Sequence, residues 1–283
     1  MYLIIKNDTF LNWNPYNVRM IKILSELVVK NKTSHLQLPI MTFLTDAKLF
    51  TELGDDVVNN DANYKEFVEH FNNRRLHRFV SIQFNEYCDC DRFDIHINNN
   101  KISTTLLHWK IYLFQIISTL AIIQYYYPDF RHNNLRIYKI LVHKIDKTTS
   151  HHNYKVCGQN YRIPNIRYTT RINSSHFANI TNIIDNVRMT SDWFKDLKIT
   201  TKKNHYYDVN YLLNSLYMVH KNISPLKVKE FIKIVIPSEY LHDGNDNDNI
   251  NKNINMRGRL IVDIEYMAPK DILLLDFFEE FRV

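Results

Sequence analysis

The longest apolar stretch of the chain runs from Trp109 to Tyr127, broken only by Lys110, Gln115, Ser118, Thr119 and Gln124. A membrane span needs about 20 predominantly apolar residues. The scattered polar side chains predict instead a soluble helix, hydrophobic nearly all round and buried inside the protein. It should run from about Thr104 to Tyr127 and stop at Pro128, which cannot continue a helix. The adjacent Tyr125, Tyr126 and Tyr127 read as core packing at the helix end. No membrane association is expected.

Shorter patterns flank this helix. Tyr2–Ile5 is an apolar strand-like run, and Val18, Ile21, Leu24, Leu27 and Val28 give helical spacing over 17–29. Leu36–Phe43, with Pro39, reads as an extended edge segment. Residues 52–63 read as a polar loop, 64–71 as a short helix and 79–84 as a strand. After the long helix come a polar loop from Arg131 to Lys139 and a strand at Ile140–Val142. A hydrophilic hairpin tip follows at 146–160, then a strand at 168–172. Helices are predicted over 207–218, 226–235 and 270–281. Residues 242–255 are low-complexity and read as a disordered loop. Strands thus concentrate before the long helix and helices after it. That is an α+β pattern with two lobes, divided as 1–95 and 96–283.

Composition narrows the chemistry. The 283 residues include only four glycines, Gly54, Gly158, Gly244 and Gly258, none close to another. This excludes the glycine-rich phosphate cradles: the Walker loop, the dinucleotide fingerprint and the kinase glycine loop. Cys88, Cys90 and Cys157 are too few for a disulfide framework and suit a reducing compartment. The start of the chain has no signal-peptide pattern. Thirty-six basic against thirty acidic residues give a charge of +6 and a pI near 9.0. Short clusters such as Arg74-Arg75 and Lys202-Lys203 are scattered, so they read as solvated surface rather than a nucleic-acid stripe. Cys88-Asp89-Cys90 lacks a second pair of ligands for zinc. Asp243–Asp248 has a calcium-loop composition, but its glycine is misplaced and the terminal glutamate is missing. Ala268-Pro269 reads as a proline-led helix start.

Three segments in order carry a resemblance: Phe114-Gln115-Ile116-Ile117-Ser118, Phe130-Arg131-His132-Asn133-Asn134-Leu135 and Ile140-Leu141-Val142. Together they resemble the buried helix, catalytic loop and following strand of a protein kinase. The match is closest to the kinase-like proteins of large DNA viruses of the mimivirus type. Similarity continues through Ile163–Ile166, Tyr206–Tyr211, Arg257-Gly258-Arg259 and Asp276–Arg282. The resemblance implies a two-lobed kinase-like fold with a mainly helical C-terminal lobe. It begins at the strand carrying Lys6, so it implies an N-terminal lobe truncated before the glycine-loop strands.

It also implies what has been lost. The family's catalytic loop places an aspartate, which takes the proton of the substrate hydroxyl, where this chain has Asn134. A carboxamide can orient a hydroxyl but is not a useful base near neutral pH. The magnesium-binding asparagine five residues on is Lys139. Two unit positive charges about 4 Å apart repel by roughly 4 kcal/mol at an effective dielectric of 20. The next metal-binding aspartate aligns with Ser174, or with Asn173 if the alignment slips by one, and neither carries the charge that holds Mg²⁺. Lys6 matches the lysine that pairs with the phosphates. Its glutamate partner aligns with Arg19, with Glu26 a conceivable substitute. His132 and Asp208 match structural residues that hold the catalytic loop.

The resemblance therefore implies a pseudokinase acting as a binding or scaffold module for a viral or host protein, in the virus factory of the host cytoplasm or in the virion. No cofactor is expected, although Lys6 and Lys139 leave room for ATP bound without Mg²⁺. Two alternatives stay open: a weak, atypical Ser/Thr kinase using ATP, and a basic virion or nucleic-acid-associated protein.

Overall fold

The structure is a computed structural model. It describes residues 15–58, 61–76, 78–86, 90–100, 104–146, 149–173, 175–186, 189, 192, 194, 197, 199–242 and 253–283. The first helix, α1 (Pro15–Val29), buries Met20, Leu24 and Leu27, spaced to share one face. It ends where Lys30 N donates to Glu26 O at 2.9 Å and Asn31 turns into the left-handed region at φ 53°.

Strands β1 (Pro39–Asp46) and β2 (Phe79–Asn85) pair antiparallel, from Pro39 opposite Asn85 to Asp46 opposite Phe79. Between them lie α2 (Asp55–Val58), inside the segment read as a loop, and α3 (Ala62–Asn72). Ala47, Val80 and Ile82 form a small core here with Phe50, Phe67, Phe71 and Phe84, separate from the main one.

The main core is built on α5 (Leu106–Tyr126), which follows β3 (Cys90–Arg92) and α4 (Phe93–Asn99). The lobe division at 95/96 therefore falls inside α4. Every residue of α5 from Ile111 to Gln124 is buried. The helix is long and apolar enough to cross a membrane, yet 78% of its most apolar window is enclosed by the protein. Its first turn is partly open, with Leu107 exposed, and its last turn emerges further. Tyr125 is 65% and Tyr126 43% exposed, so of the tyrosine run expected to pack at the helix end only Tyr127, half-buried against the core, does so.

Past α5, β4 (Phe130–Arg131) pairs with β9 (Asn179–Ile180), and β5 (Ile140–Lys144) is the centre of the antiparallel sheet β3-β5-β8, with β8 at Tyr168–Ile172. The expected hairpin tip at 146–160 is a strand pair of its own, shifted toward the C-terminus: β6 (His151–Val156) and β7 (Gln159–Pro164). It turns through Cys157 and Gly158, both at positive φ, and its Val156, Tyr161 and Ile163 are core residues.

Helices α6 (Tyr207–His220) and α7 (Leu226–Val235) follow. The C-terminal segment predicted as one helix is two short pieces, α8 (Pro269–Ile272) and a 3₁₀ turn over Asp276–Phe281, separated by extended Leu275. The break lets Ile272 and Leu273 on one side, and Phe278 and Phe281 on the other, all reach the core. Spacing of 272, 273, 278 and 281 would not fall on one helical stripe. The tract 243–252, with the calcium-like run, lies outside the described residues, but the end of the expected disordered loop is ordered: Ile254 is buried and bridges Leu260, and Asn255 N donates to Arg259 O at 2.8 Å.

Candidate functional site

The loop between β4 and β5 is held from beneath by α6. The Asp208 carboxylate, in the first turn of that helix, accepts the backbone N–H groups of His132 at 2.7 Å and Asn133 at 2.9 Å. Asn133 is fully buried in the left-handed region, φ 61°, where asparagine is tolerated better than most residues. Its side-chain amide donates to Phe177 O at 3.1 Å. Its backbone carbonyl accepts from Arg259, whose guanidinium also donates to the Tyr207 hydroxyl at 2.7 Å and lies 4.5 Å from the Tyr211 ring centroid. Further along, Ile137 N donates to Ser215 Oγ at 3.1 Å.

The strand leading in is anchored just as firmly. Arg131 is buried, stacks 3.8 Å from the Tyr207 ring centroid, and donates to Thr200 Oγ1 and Lys202 O, both at 2.8 Å. These residues line a pocket of about 320 Å³ closed on its other side by Leu260–Asp263. Burial pushes the Asp208 carboxyl up, while Arg131, the two amide donors and Arg259 oppose that push. His132 is driven down to about 4 by burial and is a neutral imidazole at physiological pH. The Asn173 backbone opposes the shift and the Lys139 charge adds to it. Its Nδ1 accepts from Asn134 N at 3.3 Å.

The positions where the family carries its chemistry are built differently. Asn134 is half-buried and follows directly on the anchored pair. Lys139 closes the 3₁₀ turn Ile137–Lys139. Its carbonyl accepts Asn173 N at 2.8 Å, and both residues act on His132, the ring that accepts from Asn134 N. The Lys139 ammonium is half-buried, and its pKa is lowered first by burial and then by Arg136 and Arg92. No carboxylate among the described residues offsets this. Asp94, the nearby acid, is engaged in a two-pronged pair with Arg92 at 3.0 and 2.6 Å.

Ser174 and Lys6 lie outside the described residues. Arg19 is exposed and donates to Ile183 O at 3.4 Å. Glu26, the conceivable substitute partner for Lys6, is exposed and paired with Lys30 at 2.9 Å on its own helix. Cys88 and Asp89 also lie outside the described residues, and Cys157 sits exposed at the hairpin turn. Among the described residues no group of His, Cys, Asp and Glu could hold a metal ion.

Sequence reasoning placed Arg259 only in a similar stretch and gave Arg131 and Tyr207 no role. Gly258 was the available signal. It sits at φ 75°, and a side chain there would bring its Cβ to 2.7 Å from Asn214 Cβ. The tight approach sets Arg259 under the loop.

No family model matches the chain. Over 286 aligned positions, covering 95% of its length, it is 35% identical to a provisionally named serine/threonine-protein kinase of Acanthamoeba polyphaga mimivirus. The chain is kinase-like, of the type found in large DNA viruses. It spans about 60% of that relative's length. The small antiparallel sheets set among helices agree with a kinase-like fold, and the helix–loop–strand order that carried the resemblance is present as α5, the 130–139 loop and β5.

Proposed function

We propose that this kinase-like chain is a catalytically inactive binding module, a pseudokinase of a large DNA virus, that engages a viral or host protein in the virus factory or the virion. The observation that carries the reading is the pairing of Asn134 with Lys139. Phosphoryl transfer is mostly positioning plus metal electrostatics. A neutral amide stands where a carboxylate would take the hydroxyl proton. A half-buried cation, already destabilised by Arg136 and Arg92 and offset by no acid among the described residues, stands where a metal ligand would. A divalent cation placed there would meet repulsion from Lys139, with no described carboxylate to compensate it.

What survives is a rigid frame for the loop, and a rigid frame is what a binding surface requires. His132 and Asp208 act in this reading as structural residues. Their work is to fix the backbone of the loop, and that work does not depend on nucleotide. The weak-kinase alternative would need the two missing charges to come from elsewhere. It would be supported by phosphate transfer that disappears in a Lys6→Ala variant. A third use of the cleft keeps nucleotide binding but drops the metal: Lys139 neutralises phosphates directly.

Thermal unfolding with ATP, with ATP and Mg²⁺, and with ATP and EDTA tests the reading. A ligand at about 100 times its Kd adds about 2.7 kcal/mol of stability. The expected result is no Mg²⁺-dependent shift. A shift that persists in EDTA and disappears in Lys139→Ala establishes metal-free nucleotide binding. A shift that requires Mg²⁺ overturns the pseudokinase assignment.

A further inference from the structure

An open groove of about 780 Å³ lies between the end of α1, the end of α5 and the β6–β7 hairpin, and it shares no residue with the 130–139 loop. Lys32, Tyr125, Tyr126, His152 and Lys155 are among its lining residues, and none of the residues that line it is a carboxylate. The two tyrosines lie where the C-terminal turn of α5 leaves the core. Their rings meet edge to face with centroids 5.2 Å apart, and Lys32 Nζ lies 5.9 Å from the Tyr126 ring centroid. Beneath them Tyr154 is tied to His35 by a hydrogen bond at 3.1 Å, so the floor is fixed. His152 Nε2 is buried without a hydrogen-bond partner among the described residues.

Exposed aromatic rings beside cations in an acid-free concavity suit one ligand chemistry in particular. Single-stranded nucleic acid offers unpaired base faces to stack on rings and phosphates to meet lysines. A duplex keeps its base faces within its own stack. An acidic peptide would use the lysines and leave the rings idle. We propose that this groove binds single-stranded nucleic acid, with Tyr125 and Tyr126 stacking on bases and Lys32 and Lys155 contacting phosphates. The inference is independent of whether the kinase-like cleft takes nucleotide.

The test is fluorescence anisotropy of a labelled oligouridine strand with the full chain, between 50 and 200 mM salt. Binding should weaken with salt, and Lys32→Gln with Lys155→Gln should flatten the log–log slope by about 1.4, since each single-strand phosphate contact contributes about 0.7. Tyr125→Ala with Tyr126→Ala should lower affinity at least about fivefold, the lower end of what one base–aromatic stack contributes. The four substituted side chains sit at the surface, so unchanged melting curves will show that the variants fold. Arg74→Gln with Arg75→Gln, elsewhere on the surface, should bind like the parent. Three results would each overturn the proposal: no binding at 50 mM salt, equal binding of a duplex or of polyglutamate, or full affinity in the tyrosine variant.

Discussion

The ten residues from Phe130 to Lys139 fall into two unlike halves. In the first half, Arg131, His132 and Asn133 are buried and their backbone is gripped from both sides, N–H groups by Asp208 and carbonyl by Arg259. In the second, Leu135 and Ile137 are buried too, but the two reactive positions, Asn134 and Lys139, are half-buried, and the lysine faces two arginines without an offsetting acid among the described residues. The contrast teaches that the shape of such a loop is set by groups that never meet a substrate. Its chemistry is set by two or three others. The first set can hold the fold while the second is lost.

The largest effect should come from acid. Burial holds both His132 and His35 near a pKa of about 4, well below their ordinary value of 6.5. The unfolded chain takes up these protons below pH 6.5 and the folded chain does not until about pH 4. Stability is therefore complete above that window and falls as pH drops through it. The slope is about 1.4 kcal/mol per pH unit for each histidine, or roughly 3 for the two. Urea unfolding at stepped pH measures it. A His132→Gln variant should lose about 1.4 kcal/mol per pH unit of the slope, and an unchanged slope would mean that the anchored half tolerates charge.

Asp208→Ala comes next. It leaves two amide donors and the Arg131 cation without their buried partner, and removing one member of such a set typically costs about 3–5 kcal/mol. Denaturant midpoints at neutral pH would show it. A loss under about 1 kcal/mol would mean that the loop does not depend on α6.

The second half should respond weakly. Lys139→Ala removes a charge that burial and two arginines already disfavour. The expected result lies between no change and about 1 kcal/mol of added stability, within the range of substitutions away from packed or paired sites. A clear destabilisation would reveal a partner for Lys139 and erase the difference between the halves.

Smallest of all, Asn134→Asp should change stability by no more than about 0.5 kcal/mol. It should also leave the chain unable to transfer phosphate from radiolabelled ATP, because a restored base still lacks its metal ligands. Transfer above the parent's background would place the chain one substitution away from catalysis.

Legibility followed the range of the interactions. Helix α7 and strand β8 have the bounds the pattern predicted, and β5 begins where expected, because local periodicity sets each of them. The loop chemistry was also readable, since Asn134 and Lys139 are identities at known spacing from a motif. The hairpin position, the break at Leu275 and the exposure of Tyr125 and Tyr126 were not readable. Each depends on what packs against the segment: Phe114 of α5 under Tyr161 in one case, the end of the core in the others. Arg259 was hidden for the same reason. It reaches Asn133 across 126 positions of chain.

The sequence by itself determined which side chains stand at the reactive positions, that no glycine cradle is present, and that the 109–124 segment belongs in a core. Those are properties of residue identity and near-neighbour spacing. Only the tertiary structure decided that Asp208 and Arg259 close on the same loop and that the end of α5 opens into a groove. Those depend on segments distant in sequence meeting in space, where burial, the pairing of charges and the exclusion of water are properties of the assembled fold rather than of any one stretch of it.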